Sequence, residues 1–360
     1  MLNRIDRYIS SLFLGYFFGA IVVFAIIFLA VDALGTISTY QNVAAGALFR
    51  FYVYSLPEIV YRMIPVSCLA ATLFTISTLS KSNELVALFS VGMSLARITT
   101  PILLWIVTVS TISFYVSDQL IPGFTKNKNF IFYNEIKKKP ALFSMVKNER
   151  IWYRSKDIIF NLKTLNEKTQ KAQGMTLYSF NEKWDLVQMI TAKDVDLVGS
   201  NWNLKDGSVT LFTQESSFPL TSQFKEKSIV MGEDAKDLSS TANTSGVQSL
   251  SELQSFIRKN KEAGLDTIRY EVDYHSKYGF ALAALVMSLL GIPFAVGKAR
   301  SGGIMVNLGI CLGLVFLYWT FFSSCLTLGN YGYIPPIMAG WVANVTMSTF
   351  ALFMIWRLKK

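Results

Sequence analysis

Six stretches of this chain are dense in Leu, Ile, Val and Phe and poor in charge: residues 12–31, 51–79, 99–116, 278–296, 304–328 and 335–356. Each reaches the ~18–20 residues that a helix needs to cross a ~30 Å hydrocarbon layer. The pattern therefore predicts six membrane-spanning helices, three before Asp118 and three after His275. The first stretch exceeds the usual 7–15-residue core of a secretion signal and has no small-x-small cleavage site after it, so it is expected to be retained.

Between the two groups of spans the period changes. Residues 150–153, 158–162, 175–180 and 187–195 are short β-rich runs separated by polar turns. In WNLK-DG-SVTL, Asp206-Gly207 reads as a tight hairpin turn, with Trp202 and Leu204 alternating on one arm and Val209 and Leu211 on the other. Several short strands without intervening helices predict an antiparallel sandwich or jelly roll. Residues 233–247 are rich in Ser and Thr and read as a linker. Ser249-Leu-Ser-Glu252 is a capping box, opening a helix that runs to Lys261 with Leu253, Phe256 and Ile257 on its apolar face and Gly264 as its stop. The expected fold is an α-helical membrane protein of six transmembrane helices with an inserted antiparallel β-jelly-roll-like domain. Its parts would be residues 1–118, 119–275 and 276–360, with a short helix at 81–94 between spans two and three.

Charge supplies the orientation. If six spans alternate, Arg4, Arg7, Lys81, Arg97, Lys298, Arg300, Arg357, Lys359 and Lys360 fall on one side, accompanied only by the acids Asp6 and Glu84. That side carries seven of the ten net positive charges, so the basic balance is a topology signal and not a nucleic-acid footprint. By the positive-inside rule both termini are cytoplasmic and the insertion is exported. Cys68, Cys311 and Cys325 all lie in predicted spans, so the exported part folds without disulfides, and the single His275 cannot build a zinc site.

Enzyme signatures are missing. The chain has no GxxxxGK[ST] phosphate loop, no GxSxG and no HExxH, and the acids of the insertion form no recognisable catalytic pair. No cofactor is expected in this chain, and energy for any work must come from a partner.

With these elements in place, the run NELVALFSVGMS at 83–94 resembles the segment between the second and third spans of the lipopolysaccharide export permeases, the LptF/LptG family. IDRYI at 5–9, GMTLYSFNEKWDL at 174–186 and GYIPP at 332–336 match in the same order, and the layout covers the whole chain. The first and last of these lean toward the LptG branch. The resemblance implies an inner-membrane subunit of a Gram-negative bacterium, working as a heterodimer with a paralogous, LptF-like permease and a cytoplasmic, LptB-like ATPase dimer. The family extracts lipopolysaccharide and passes it through its β-domains to LptC and a periplasmic bridge. Residues 81–94 would then be the coupling helix, with Glu84, Leu85, Leu88, Phe89 and Gly92 as its working positions. Leu85, Leu88 and Phe89 fall at helical spacing and could enter a groove, while Glu84 suits the helix N-terminus. A helix lying on lipid headgroups is the alternative. At the level of function, two other readings stay open: a permease of a different ABC-type lipid or lipoprotein exporter, and a membrane-anchored scaffold that transports nothing.

Charges near the membrane are the candidate lipid contacts. Glu58 and Arg62 stand at i, i+4 in the favourable order, as either a self-paired interfacial anchor or a cavity group meeting a lipid head; Arg50 is a second cation and Asp32 ends span one. LptG members often have lysines around that point, where this chain has Leu29, Ala30, Gly35 and Thr36, so a lysine–phosphate contact does not carry over. Spans one and five form the family's lateral gate, and here Gly15/Gly19 and Gly309/Gly313 give each a small-residue face, explained by packing or by gating. Gly291-Ile-Pro293 is expected to kink span four. Ile159, Leu177, Trp202, Leu204, Val209 and Leu211 are the candidate lining of a lipid conduit in the β-domain, although a closed core would use the same residues.

Overall fold

The computed structural model describes residues 4–40, 43–137, 145–147, 150–155, 158–166, 170–181, 184–198, 201–212, 218–231, 248–262, 266–298 and 304–358. The chain divides into two compact units, Met1–Thr39 with Ser55–Ile121 and Val272–Lys360, and Tyr40–Tyr54 with Pro122–Glu271.

Six helices are long and apolar enough to cross a membrane. They are α1 (Arg4–Thr39), α2 (Ala45–Lys81), α4 (Leu95–Gln119), α7 (Ile268–Lys298), α8 (Ile304–Asn330) and α9 (Pro336–Leu358). Between α2 and α4 lies the seven-residue α3 (Glu84–Ser90). Apolar residues three and four apart build the helical core: Leu69, Leu73 and Ile76 on α2, Ile98, Ile102 and Ile106 on α4, and Ala283, Met287 and Leu290 on α7. Helix α2 is the most enclosed, with 67% of its apolar window buried against 11% for α1. Pro57, Pro65, Pro101 and Pro293 sit inside continuous helices, as membrane helices tolerate when neighbours re-satisfy the freed carbonyls.

Small residues bring the last helices together. A Cβ on Gly279 of α7 would come within 2.3 Å of the Gly340 carbonyl of α9, and one on Gly340 within 2.8 Å of the His275 backbone. At that contact the Asn344 amide donates to the Gly279 carbonyl at 2.9 Å and accepts from the Tyr318 hydroxyl at 2.6 Å. Gly291 lets α7 approach Leu69 of α2, whose Cδ1 would lie 2.7 Å from an added Cβ. By contrast, a Cβ at Gly15, Gly19, Gly309 or Gly313 would meet nothing within 4 Å. Among the described residues those two small-residue faces pack against no other part of the chain. The GYIPP run closes α8 and opens α9: Gly332 has φ 78, its N–H reaches Gly329 O and the Tyr333 N–H reaches Leu328 O, the paired bonds of a Schellman motif.

The second unit resumes at Pro122 in helix α5 (Ile121–Ile131), which runs into a five-residue π-helix (Phe132–Ile136). Eight strands follow: β1 (Met145–Lys147), β2 (Arg150–Ser155), β3 (Ile158–Leu162), β4 (Thr164–Asn166), β5 (Lys171–Phe180), β6 (Leu186–Val198), β7 (Asn201–Leu211) and β8 (Leu220–Val230). They form one antiparallel sheet in the order β1-β2-β3-β5-β6-β7-β8, with β4 beside β5. The antiparallel sheet agrees with the sequence. Its described strands pair in chain order as a meander and do not show the crossed connections that define a jelly roll.

Asp206-Gly207 is not a hairpin turn; both residues lie inside β7. The local reading was physically sound, because Asp206 does take a positive φ of 47°. Here, however, the left-handed residue shifts the phase of a continuing strand. The β5–β6 ladder pairs Gln173 with Asp194 and then Met175 with Ala192; the β6–β7 ladder skips from Asp194↔Lys205 to Ala192↔Gly207. The β7–β8 ladder skips in the same row, from Lys205↔Glu226 to Gly207↔Phe224. Gly174, with φ 66°, begins that unpaired row. On β6 the buried set accordingly changes parity, from Ile190 and Ala192 to Val195 and Leu197. Gly207 has no room for a side chain, since a Cβ would fall 2.0 Å from the Thr191 carbonyl.

The expected linker at 233–247 lies outside the described residues. The capping box is present: the Ser249 N–H donates to Glu252 Oε2 at 2.9 Å, and the Glu252 N–H to Ser249 Oγ at 3.3 Å. It opens α6 (Leu250–Glu262), which buries Leu253 and Phe256; Gly264 lies outside the described residues.

Candidate functional site

Helix α3 stands at the end of the helical unit that holds the start of α1 and the end of α2. It is about two turns long and is held between two left-handed residues, Asn83 (φ 59°) and Gly92 (φ 85°). Gly92 is the C′ residue of a Schellman motif, its N–H reaching Phe89 O at 2.9 Å and the Met93 N–H reaching Leu88 O at 3.1 Å. Two residues later Ser94 caps α4 by accepting from the Arg97 N–H. The run SVGMSLAR thus stops one helix and starts the next within a few residues.

The apolar residues of α3 divide between two directions. Leu85 is buried in the chain's own core and Leu88 packs against it. Val86, Phe89 and Val91 point outward, at 48%, 39% and 81% exposure. Glu84, in the first turn, accepts from the Tyr8 hydroxyl of α1 at 3.3 Å. The other acid at this end, Asp6, holds Arg97 in a bidentate pair at 2.8 and 2.9 Å, with the carboxylate side chain only 11% exposed. Sequence reasoning did not name Asp6, Tyr8 and Arg97 as site residues, although Asp6 and Tyr8 lie in the IDRYI run and Asp6 and Glu84 are the two acids of a basic side.

Of the candidate lipid contacts, Arg62 is paired with Glu58 at 2.6 Å. Arg50 is paired with Glu135 of the π-helix at 2.7 Å, a partner the sequence did not reveal. Exposed pairs of this kind are worth only ~0.2–1 kcal/mol, so neither arginine is locked away from another anion. Asp32 lies exposed on α1.

Inside the β-domain, Leu177, Trp202 and Leu204 are buried in one cluster with Phe160, Leu162, Met175, Ile190 and Val195. The Trp202 ring meets Phe160 edge-on at 5.3 Å, and its Nε1 has no hydrogen-bond partner among the described residues. Val209 packs on this cluster, Ile159 is half-buried, and Leu211 is 42% exposed. The six conduit positions therefore grade from sealed interior to open surface. Beyond Leu211, Phe218 exposes an apolar side chain just ahead of β8, and Leu220 and Val230 do so at its two ends; β8 is the end strand of the described sheet.

Among the described residues no group of three or more His, Cys, Asp or Glu side chains could hold a metal ion. Cys68, Cys311 and Cys325 are buried free thiols.

Comparison with known proteins agrees with this architecture. The model of the lipopolysaccharide export system permease family LptF/LptG matches residues 7–357. The lipopolysaccharide export system permease protein LptG of Escherichia coli strain K12 is 23% identical over 337 residues, which cover 89% of this chain and 87% of that protein. The LptG protein of Haemophilus influenzae strain Rd is 22% identical over 329 residues, 88% of each chain.

Proposed function

Because this chain belongs to the lipopolysaccharide export system permease family LptF/LptG, we propose that it is the LptG-type permease subunit of an ABC transporter. In this reading it takes lipopolysaccharide from the inner membrane and delivers it through its β-domain to a periplasmic bridge. The observation that carries the reading is α3, a short helix fixed between two left-handed residues, seated by Leu85 and presenting Val86, Phe89 and Val91 outward. A helix seated on one face and apolar on the other suits insertion into a groove of a partner. The partner is a cytoplasmic ATPase dimer, which supplies the energy that this chain has no motif to generate. The termini and α3 are then cytoplasmic, and the β-domain is periplasmic. A paralogous LptF-like subunit completes the permease, and an LptC-like protein receives the lipid along the β8 edge.

Arg50 and Arg62 take the place of the missing span-one lysines as cations for the lipid's phosphates, exchanging Glu135 and Glu58 for a stronger anion. Leu211, Val209 and Ile159 offer the first apolar surface to acyl chains. Leu177, Trp202 and Leu204 follow once the sheet opens, since every CH₂ kept from water is worth ~0.8 kcal/mol.

The test is purification of the complex from a Gram-negative host. An ATPase that co-purifies, and lipopolysaccharide as the retained lipid by mass spectrometry, are the expected results. Glu84→Ala and Phe89→Ala should each weaken ATPase retention, whereas Leu85→Ala should chiefly lower thermal stability, by ~2–5 kcal/mol. Phospholipid alone in the complex, or full ATPase retention by Phe89→Ala, would sink the proposal.

A further inference from the structure

We infer that Asp6, Arg97 and Tyr8 are positioning residues that clamp the first membrane helix to α3, so that a displacement of α3 is delivered to α1. The inference rests on α3 being the ATPase-docking element. Three observations converge on it. First, α1 is held most tightly near its start. Its buried residues are Asp6, Ile9, Ser10, Phe13 and Phe17, and from Phe18 to Thr39 none is buried. Beyond Phe17, Ala20, Ile21 and Phe24 still pack against the same core while partly exposed, so the hold on α1 weakens along its length and a movement at its root is carried toward its tip.

Second, the polar contacts of that root bracket α3. Tyr16 bonds Thr78 at 2.8 Å, just before α3; Tyr8 bonds Glu84 on α3; Asp6 bonds Arg97, just after it. Third, the geometry of the clamp is built and not incidental. The Arg97 N–H is fixed by the Ser94 cap and its guanidinium meets both Asp6 oxygens, the planar fork that lysine cannot reproduce. The two acids on the basic side of the sequence are the two that engage this corner.

Glu84 thereby faces in two directions. Tyr8 donates to it from α1, and a basic residue of the ATPase can reach its remaining lone pairs from outside. Binding at α3 then bears directly on the root of α1.

The experiment uses the complete complex in proteoliposomes and reads lipopolysaccharide released per ATP hydrolysed. Asp6→Asn and Arg97→Lys should assemble and hydrolyse ATP at near parental rates, yet release roughly tenfold less lipid per ATP, the scale of one lost charge-assisted bond. The exchanged pair Asp6→Arg with Arg97→Asp should recover most of that ratio, whereas a general loss of folding would lower hydrolysis and release together. Tyr8→Phe, which removes one hydroxyl from an exposed side chain whose bond to the Glu84 carboxylate is long at 3.3 Å, should lower the ratio about twofold to threefold. An unchanged ratio in Tyr8→Phe and in whichever charge variants assemble overturns the clamp. Hydrolysis without lipid release by the parent complex would instead overturn the proposed function.

Discussion

Replacing Asn344 with alanine tests whether the last three membrane helices are joined by polar bonds as well as by shape. The Asn344 side chain, 3% exposed, links Gly279 of α7 and Tyr318 of α8 to its own helix α9. Interhelical hydrogen bonds within a bilayer average about 0.6 kcal/mol and reach about 1.7 kcal/mol, because the separated helices find other partners in the membrane. Two bonds thus set the polar cost of Asn344→Ala at ~1–3 kcal/mol, with a further contribution from the space left behind. Tyr318→Phe removes the shorter bond without emptying any volume, so its cost should stay within ~0.6–1.7 kcal/mol. The assay is thermal unfolding of the purified complex in one detergent at one scan rate, since irreversible unfolding makes the apparent Tm depend on that rate. Both single variants should lower Tm, and Tyr318→Phe should cost little once Asn344 is already alanine. Contacting residues normally show a coupling of ~0.5–3 kcal/mol. Strict additivity of the two shifts would refute the bond, and an unchanged Tm in Asn344→Ala would refute the whole tie.

Two further outcomes follow from the packing. Gly340→Ala should destabilise the helical unit by ~1–3 kcal/mol through overpacking, because its Cβ would press on the His275 backbone at 2.8 Å, whereas Gly313→Ala should leave melting unchanged in the isolated chain; equal shifts would show that helix approach is not the reason for Gly340. Photo-crosslinkers at Leu211 and at Leu204, which are respectively 42% and 0% exposed, should differ in lipid capture: adducts at Leu204 are expected only during ATP hydrolysis, and capture there without ATP would refute a β-domain that opens on demand.

The six spans were legible because an apolar run of bilayer length leaves the backbone few choices: every peptide group in hydrocarbon must be satisfied within the helix. Their ends were not. Helix α7 begins at Ile268, ten residues before the apolar stretch that announced it, since an established ladder continues through polar residues such as Glu271 and Asp273. Helix α5 was not among the expected elements; its Pro122 is welcome in a first helical turn, where the missing N–H has no intrahelical partner. Asp206-Gly207 misled in the opposite way. The dipeptide reports a positive φ, and whether that φ closes a hairpin or shifts the phase of a strand depends on the neighbouring ladders, which lie outside the reach of local pattern.

The candidate site divides along the same line between local and distant. Glu58–Arg62 and the capping box were readable because both partners sit within one helical turn, where spacing dictates contact. Asp6 and Arg97 are separated by 91 positions, and Arg50 and Glu135 by 85; no spacing rule connects them, and only the fold does. Leu85 shows the intermediate case. Its helical spacing with Leu88 and Phe89 was visible, but a seven-residue helix with apolar residues in two directions does not reveal which direction is inward. The neighbouring core decides that, by taking Leu85 and leaving Phe89 outside. What is local in α3 is Glu84 in its first turn and the left-handed Gly92 just past its end. The connection of that segment to α1 needed the fold, because a clamp is by nature an agreement between residues far apart in the chain.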